Sequence, residues 1–120
     1  MQVRDYANFT RAVEADGSPH AAFEALCAMT KEVVGVKLFT VMTHDGKRGH
    51  AQRIYSNMPD AYPVSGTKPA NETDWSRQVI VEKRIFVAND IDAIAEVFSD
   101  HELIKSLGCE SVINVPIIVG

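Results

Sequence analysis

The chain has 120 residues, of which 46% are hydrophobic and 23% charged, and this composition is typical of one soluble globular domain. A net charge of −4 and a pI near 5.5 argue against a nucleic-acid or anionic-membrane surface, because both need clustered Lys and Arg. No apolar run approaches the roughly 18 residues that span a bilayer, and the N-terminus lacks the apolar core of a signal peptide. Cys27 and Cys109 stand far apart without a CxxC pattern, so we expect a reduced, cytoplasmic protein.

Two helices are predicted at the beginning of the chain. Tyr6, Phe9 and Val13 have helical spacing and predict an amphipathic helix over residues 4–15. Ser18-Pro19 then opens a helix that runs to residue 34 and is ended by Gly35. Cys27 is expected to be a small core residue of this second helix. The predicted apolar face consists of Ala22, Phe23, Leu26, Met29 and Val33.

A hairpin and an irregular segment are predicted next. Residues 36–43 are rich in β-branched and aromatic side chains, 44–49 form a polar loop, and 50–57 return as a second strand. This second strand is polar on both sides, which places it at a sheet edge or against a wet cavity. Four Pro and Gly residues make 58–71 irregular, although Tyr62 and Val64 within it need a surface to pack on.

The remainder of the chain alternates helices with strands. A helix is predicted over 72–83 with Trp75, Val79 and Ile80 inward, followed by a strand at 85–87. Asn89 is predicted to cap a helix that presents one apolar face. Ser99 and Glu102 have the spacing of a capping box, and Gly108 is predicted to end the helix that they open. The face predicted for the helix after Asn89 is Ile91, Ile94, Ala95 and Phe98.

Residues 111–119 are too apolar for a half-exposed strand, so we expect them to lie inside a sheet. Asn114 is polar within this strand and needs a hydrogen-bond partner if it is buried. Hairpin-connected strands with long helical excursions indicate an α+β fold with an antiparallel sheet and flanking helices.

The order of elements and the tail at 107–117, Leu-Gly-Cys-Glu-Ser-Val-Ile-Asn-Val-Pro-Ile, resemble a GAF domain, a small-molecule-binding relative of PAS domains. The resemblance covers residues 18–120, and we expect 1–120 to be a single domain. In the family a strand of this form is followed by a further strand and a closing helix. Both are expected to be lacking here, because the sequence stops at Gly120. Segment 1–17 is interpreted as an N-terminal helix and a candidate dimerisation segment.

The resemblance implies a ligand site between the sheet and the layer that follows the second strand. A pair of aromatic rings offers a ligand flat contact area, and an arginine can donate two parallel hydrogen bonds to it. A helix N-terminus offers free backbone N–H groups to an anion. The alternatives are that Tyr62 and Trp75 only fill the core and that Arg53 is solvated. The residues expected to bind ligand are Arg53, Tyr55, Asn57, Tyr62, Trp75, Asp100 and His101.

A metal site is one interpretation of the consecutive residues Asp100, His101 and Glu102, with His44 or His50 as further ligands. At most two of three consecutive helical residues could converge on one ion, so no metal site is expected. Acidic residues in a first helical turn already complement the helix dipole.

The better-known activities of the family lack support in this sequence. Cyclic-nucleotide binding has an Asn-Lys-Phe-Asp-Glu signature that is absent here, and bilin attachment uses a Cys followed by His, whereas Ala28 and Glu110 follow the two cysteines. One branch reduces free methionine sulfoxide with a thiolate and a resolving thiol. Cys109 has no evident partner for that chemistry, because Cys27 is expected to be buried elsewhere.

Three hypotheses remain. The first is a non-enzymatic, cytoplasmic sensory module without a cofactor, which binds a small polar or anionic metabolite. The second is a thiol-dependent redox enzyme that acts through Cys109. The third is a structural dimerisation domain without a ligand. We expect a homodimer formed through the helices at 4–15 and 19–34, because they resemble the helices through which GAF domains pair.

Overall fold

The computed structural model describes residues 19–45, 49–64, 68–69 and 72–118, and it has an α+β fold with two small antiparallel sheets and several helices. The helix predicted at 4–15 lies outside the described residues. Backbone contacts group the described residues into two compact units. The first unit contains 19–43 and 52–64, and the second contains 44–45, 49–51, 68–69 and 72–118. That the chain is one domain stays a prediction.

The first sheet has the strand order β1-β2-β3 and the second sheet pairs β4 with β5. In chain order the described elements are α1 (Pro19–Val33), β1 (Thr40–Asp45), β2 (His50–Ser56), β3 (Lys68–Pro69), α2 (Asp74–Ser76), a π-helix (Arg77–Val81), β4 (Phe86–Ala88), α3 (Ile91–Val97), α4 (His101–Ser106) and β5 (Val112–Asn114).

Helix α1 confirms the prediction for this segment. Gly35 has a φ of 81°, where a residue without a Cβ is favoured, and its N–H donates to the carbonyl of Lys31 at 2.9 Å. Cys27 is buried, as predicted. Val33 was expected on the apolar face and is exposed, because it lies in the last turn of the helix.

The first strand begins at Thr40, four residues later than the predicted Val36, and it continues into the predicted loop as far as Asp45. The Asn57 side chain explains the late start. Its Oδ1 accepts a hydrogen bond from the N–H of Phe39 at 2.7 Å, and its Nδ2 donates to the carbonyl of Lys37 at 2.9 Å. The Asn57 side chain therefore takes up the N–H of Phe39 and the carbonyl of Lys37, and the Asn57 N–H donates to the carbonyl of Phe39 at 3.1 Å.

Strand β3 shortens the irregular segment predicted at 58–71. It pairs antiparallel with only His50 and Ala51 of β2. Tyr62 is buried, as its aromatic character suggested, whereas Val64 is exposed and the expectation that it packs was wrong.

The helix predicted at 72–83 is shorter and changes type. Thr73 and Ser76 form a reciprocal capping box at the start of α2, with hydrogen bonds of 3.0 and 2.8 Å. The π-helix that follows bonds the N–H of Glu82 to the carbonyl of Arg77 at 2.8 Å. Lys83 then has a φ of 57°, which ends helical structure before β4.

Both predicted N-caps in the C-terminal half were wrong. Asp90, not Asn89, caps α3, because its Oδ1 accepts the N–H of Ala93 at 2.8 Å. The capping box from Ser99 does not form: Asp100 occupies the N-cap position of α4 and makes no side-chain capping bond. Gly108 ends α4 as predicted. It has a φ of 85° and donates to Lys105, while the next N–H donates to Ile104.

The core of the second unit lies under α3. Ile94 is fully buried, and Phe98 makes edge-on contacts with the rings of Trp75 at 6.2 Å and Phe86 at 6.3 Å. Ala95 was expected to face inward but is exposed. Helix α3 has only seven residues, which is about two turns. Its inward face is therefore too narrow to include all four predicted positions.

The final strand is not an interior strand, which corrects the prediction for 111–119. Only Val112–Asn114 form a strand, and among the described residues their one ladder partner is β4. Val115, Ile117 and Ile118 are exposed. The high apolar content of this segment therefore does not mean that both faces of its strand are buried.

The cap of α3 gives a direct test of the fold. Asp90→Ala should lower the free energy of unfolding by about 1 kcal/mol, because the N–H of Ala93 loses its acceptor. Asn89→Ala is the matched control and should cost less than about 0.5 kcal/mol, since Asn89 is exposed and does not cap the helix. Urea unfolding of both variants is the measurement, and equal losses would contradict the cap assignment.

Candidate functional site

The first unit contains a cleft between α1 and the end of β2. Its volume is about 530 Å³, which is within the range of roughly 300–1,000 Å³ that is common for small-molecule sites. The cleft is open to solvent and combines apolar with polar groups. It is lined by His20, Glu24, Cys27, Ala28, Lys31, Tyr55, Ser56, Asn57 and Pro59.

Tyr55 is the residue that joins the two sides of the cleft. It is 7% exposed, and its ring lies 5.5 Å from that of His20 and 6.0 Å from those of Phe23 and Phe39. Burial raises the pKa of its phenol above the ordinary value of 10.0, and the neighbouring Cys27 thiol, to which it is hydrogen bonded, adds to the rise. The cleft therefore has a neutral hydroxyl and a buried thiol beside each other.

The charged groups of the cleft all come from α1. His20 Nε2 lies 3.1 Å from Glu24 Oε1, one helical turn along. Lys31 forms no ion pair with any described residue and is exposed. It lies in the last turn of the helix, where a cation also offsets the negative end of the helix dipole. Lys31 is therefore the cation in the cleft that is available to an anion.

Arg53 lies two residues before Tyr55 on β2. Its guanidinium carbon is 4.9 Å from the centre of the Tyr62 ring, a cation–π contact, and Nη1 is 3.4 Å from the carbonyl oxygen of Pro63. Its Nε is buried and has no hydrogen-bond partner among the residues that the structure describes. Two of the predicted ligand residues thus stack on each other within the first unit.

The other predicted residues of the first unit line the cleft, although both have structural contacts. Tyr55 is packed among three rings, and the amide of Asn57 is bonded to the backbone at Lys37 and Phe39. Their remaining exposed atoms contribute to the cleft surface.

Trp75, Asp100 and His101 belong to the second unit. The indole Nε1–H of Trp75 donates to Asn114 Oδ1 at 3.1 Å, which gives that amide the partner it was expected to need. The Trp75 ring also lies 6.3 Å from His44, whose pKa is lowered by burial. Asp100 and His101 are half-buried at the start of α4. That the seven residues form one ligand site stays a prediction.

Sequence reasoning missed the contribution of α1 to the cleft. Positions 20, 24, 27, 28 and 31 have the spacing of one helical stripe, so they lie along one side of α1. A stripe that mixes a cation, a carboxylate and a thiol beside the apolar face was the available signal.

The two cysteines lie in different units, Cys27 buried and Cys109 half-buried, and both are free thiols. Within the described ranges, no three His, Cys, Asp or Glu side chains are grouped as a metal ion would require. None of the helices in the described part of the chain has the length and apolar character needed to cross a membrane.

Comparison with protein-family models gives no match, and comparisons with curated proteins and with solved structures give none either. The resemblance to GAF domains therefore depends on the sequence pattern alone and stays a prediction.

The pKa of Tyr55 gives a test of the cleft. A phenol whose pKa is raised on folding keeps its stabilising contribution below the unfolded value of 10.0 and loses it as pH rises through the folded value. Absorbance titration of the folded chain should therefore show a late component from Tyr55, which ionises above pH 10. Tyr55→Phe should remove that late component, and Tyr62→Phe should retain it. Loss of the late component in the Tyr62 variant alone would contradict the assignment.

Proposed function

We propose that this chain is a non-enzymatic, GAF-like sensory module of the cytoplasm and that it binds a small polar or anionic metabolite in the cleft of the first unit. The cleft itself is the observation that carries the proposal. It combines an appropriate volume, an apolar lining from Cys27, Ala28 and Pro59, and polar groups at defined positions.

The charges of the cleft favour an anionic group on the ligand. Glu24 has His20 beside it, whereas Lys31 has no ion pair among the described residues. A carboxylate next to Lys31 would gain a charge-assisted hydrogen bond, and the body of the same molecule would cover Cys27 and Ala28. A small carboxylic acid with an apolar body has this chemistry.

The predicted ligand roles of Arg53, Tyr62, Trp75, Asp100 and His101 remain part of the wider proposal of a GAF-like site. For Arg53 there is a supporting feature, since its buried Nε has no acceptor within the described ranges and an anionic oxygen would provide one. The redox alternative through Cys109 and the homodimer through the helices at 4–15 and 19–34 stay predictions.

Benzoate and butyrate, compared with benzamide and butyramide, test the proposal. Each carboxylate should stabilise the chain by about 2.7 kcal/mol at 100 times its dissociation constant, and its neutral amide at the same concentration should stabilise the chain less. Lys31→Met should weaken carboxylate binding about fivefold, the effect of losing one exposed charge contact. Thermal unfolding for the screen and calorimetric titration for the variants are the measurements.

Lys105→Met is the matched control, because Lys105 is also an exposed lysine in the last turn of a helix. It should leave binding unchanged. If Arg53→Met weakens binding and Lys31→Met does not, the ligand lies at the Arg53–Tyr62 stack and the cleft assignment is wrong. If carboxylates and amides stabilise equally, the anionic part of the proposal fails.

A further inference from the structure

The α1 wall of the cleft has a carboxylate and an ammonium group two helical turns apart. Glu24 and Lys31 both line the cleft, and both are exposed. They are seven residues apart on α1, and a helix returns to nearly the same side after seven residues. At a rise of ~1.5 Å per residue, their Cα atoms are about 10 Å apart along the helix axis.

The stretch of cleft wall between these two charges is uncharged. Cys27 and Ala28 line it from the intermediate turn of α1, and Tyr55 lines it from β2. The pKa of Tyr55 is raised by burial, by the Cys27 thiol and by the negative charge of Glu24, so the phenol is neutral at neutral pH. Because the charge of Glu24 acts on this phenol, the carboxylate lies near Tyr55 and is turned toward the cleft.

Both charges of the wall are able to bind a ligand group. His20 Nε2 is 3.1 Å from Oε1 of Glu24, which is the ion pair that Glu24 makes within the described ranges. A carboxylate has about four acceptor sites on its two oxygens, so a ligand ammonium can share Glu24 with His20. Lys31 makes no ion pair with a described residue. The cleft therefore offers one site for a cation and one for an anion.

We infer that the ligand of this cleft is a linear zwitterion, whose ammonium group binds Glu24 and whose carboxylate binds Lys31 two helical turns away. The inference rests on the proposed function and adds to it a cationic group and a length. An α-amino acid is too short, because it would have to draw the two side chains together over the uncharged stretch.

The distance between the two charges indicates the class of molecule. An extended peptide spans ~3.3–3.6 Å per residue, so a tripeptide with free termini is about 10 Å long. In ω-aminooctanoate the ammonium nitrogen and the carboxylate carbon are separated by as many bonds as the two ends of a tripeptide backbone. Both molecules carry the required pair of charges, and a titration distinguishes them.

Calorimetric titration of the full chain with ω-aminooctanoate and ω-hydroxyoctanoate tests the inference. The two compounds differ in the charge of the terminal group, and the amine should bind about threefold more tightly, which is the effect of one exposed ion pair. The shorter γ-aminobutyrate should bind no more tightly than γ-hydroxybutyrate, because it does not reach both side chains. Trialanine and N-acetyltrialanine make the same comparison in a peptide, and the larger gain identifies which of the two backbones the cleft prefers.

Glu24→Gln should abolish the gain from the amine and leave the affinity for ω-hydroxyoctanoate unchanged, because the amide keeps the shape of the side chain and removes its charge. Glu24 is exposed, so the variant should fold, and circular dichroism checks this. Glu32→Gln is the matched control, since Glu32 is an exposed glutamate of the same helix outside the lining of the cleft, and it should retain the gain.

The outcomes separate this inference from the proposed function. If ω-hydroxyoctanoate binds through Lys31 and neither amine brings a gain, the zwitterion is wrong and the proposed function stands. If none of the compounds binds, both fail. A gain that Glu24→Gln and Glu32→Gln reduce equally would come from the net charge of the chain and would also overturn the inference.

Discussion

The packing of Tyr55 against α1 is the interaction on which the first unit depends. One ring on β2 contacts His20 and Phe23 of the helix and Phe39 before β1, and its hydroxyl is hydrogen bonded to Cys27. An aromatic side chain of this kind gains both from the apolar area it buries and from tilted ring contacts. Because the ring of Tyr55 packs the strand against the helix, the side chains of α1 and of the end of β2 that lie next to this ring line the cleft.

The second unit is organised by a ladder that packs on one face only. Trp75, Phe86 and Phe98 fill the inner side, and the indole of Trp75 satisfies the one amide of β5 that points inward. On the outer side, Val87 is paired opposite Ile113, and both are exposed. The two units thus differ, with a polar cleft in the first and a ladder with one exposed face in the second.

The sequence predicts helix ends correctly where a single residue sets the end. Pro19, Gly35 and Gly108 mark helix ends as expected, because each acts through its own backbone preference. Asn89 and Asp90 are adjacent and both can cap, so local sequence could not choose between them. The late start of β1 could not be predicted, since it depends on Asn57, which is 18 to 20 residues away from its partners.

The lining of the cleft could be predicted only in part, because it also depends on residues far apart in the sequence. Tyr55 and Asn57 line the cleft, but the other side of the cleft comes from α1, whose apolar face predicts only a core helix. For the final strand, the prediction of burial was wrong. Its composition predicted burial, yet composition alone cannot distinguish a strand buried inside one chain from a strand with one exposed face.

We propose that α1 and the end of β2 form the ligand site, and amide chemical shifts test this proposal most directly. Titration of benzoate into the ¹⁵N-labelled chain should move the amide resonances of residues 24–31 and 55–57 together, with one dissociation constant. Shifts confined to the second unit, or an absence of saturable shifts at millimolar benzoate, would contradict the account.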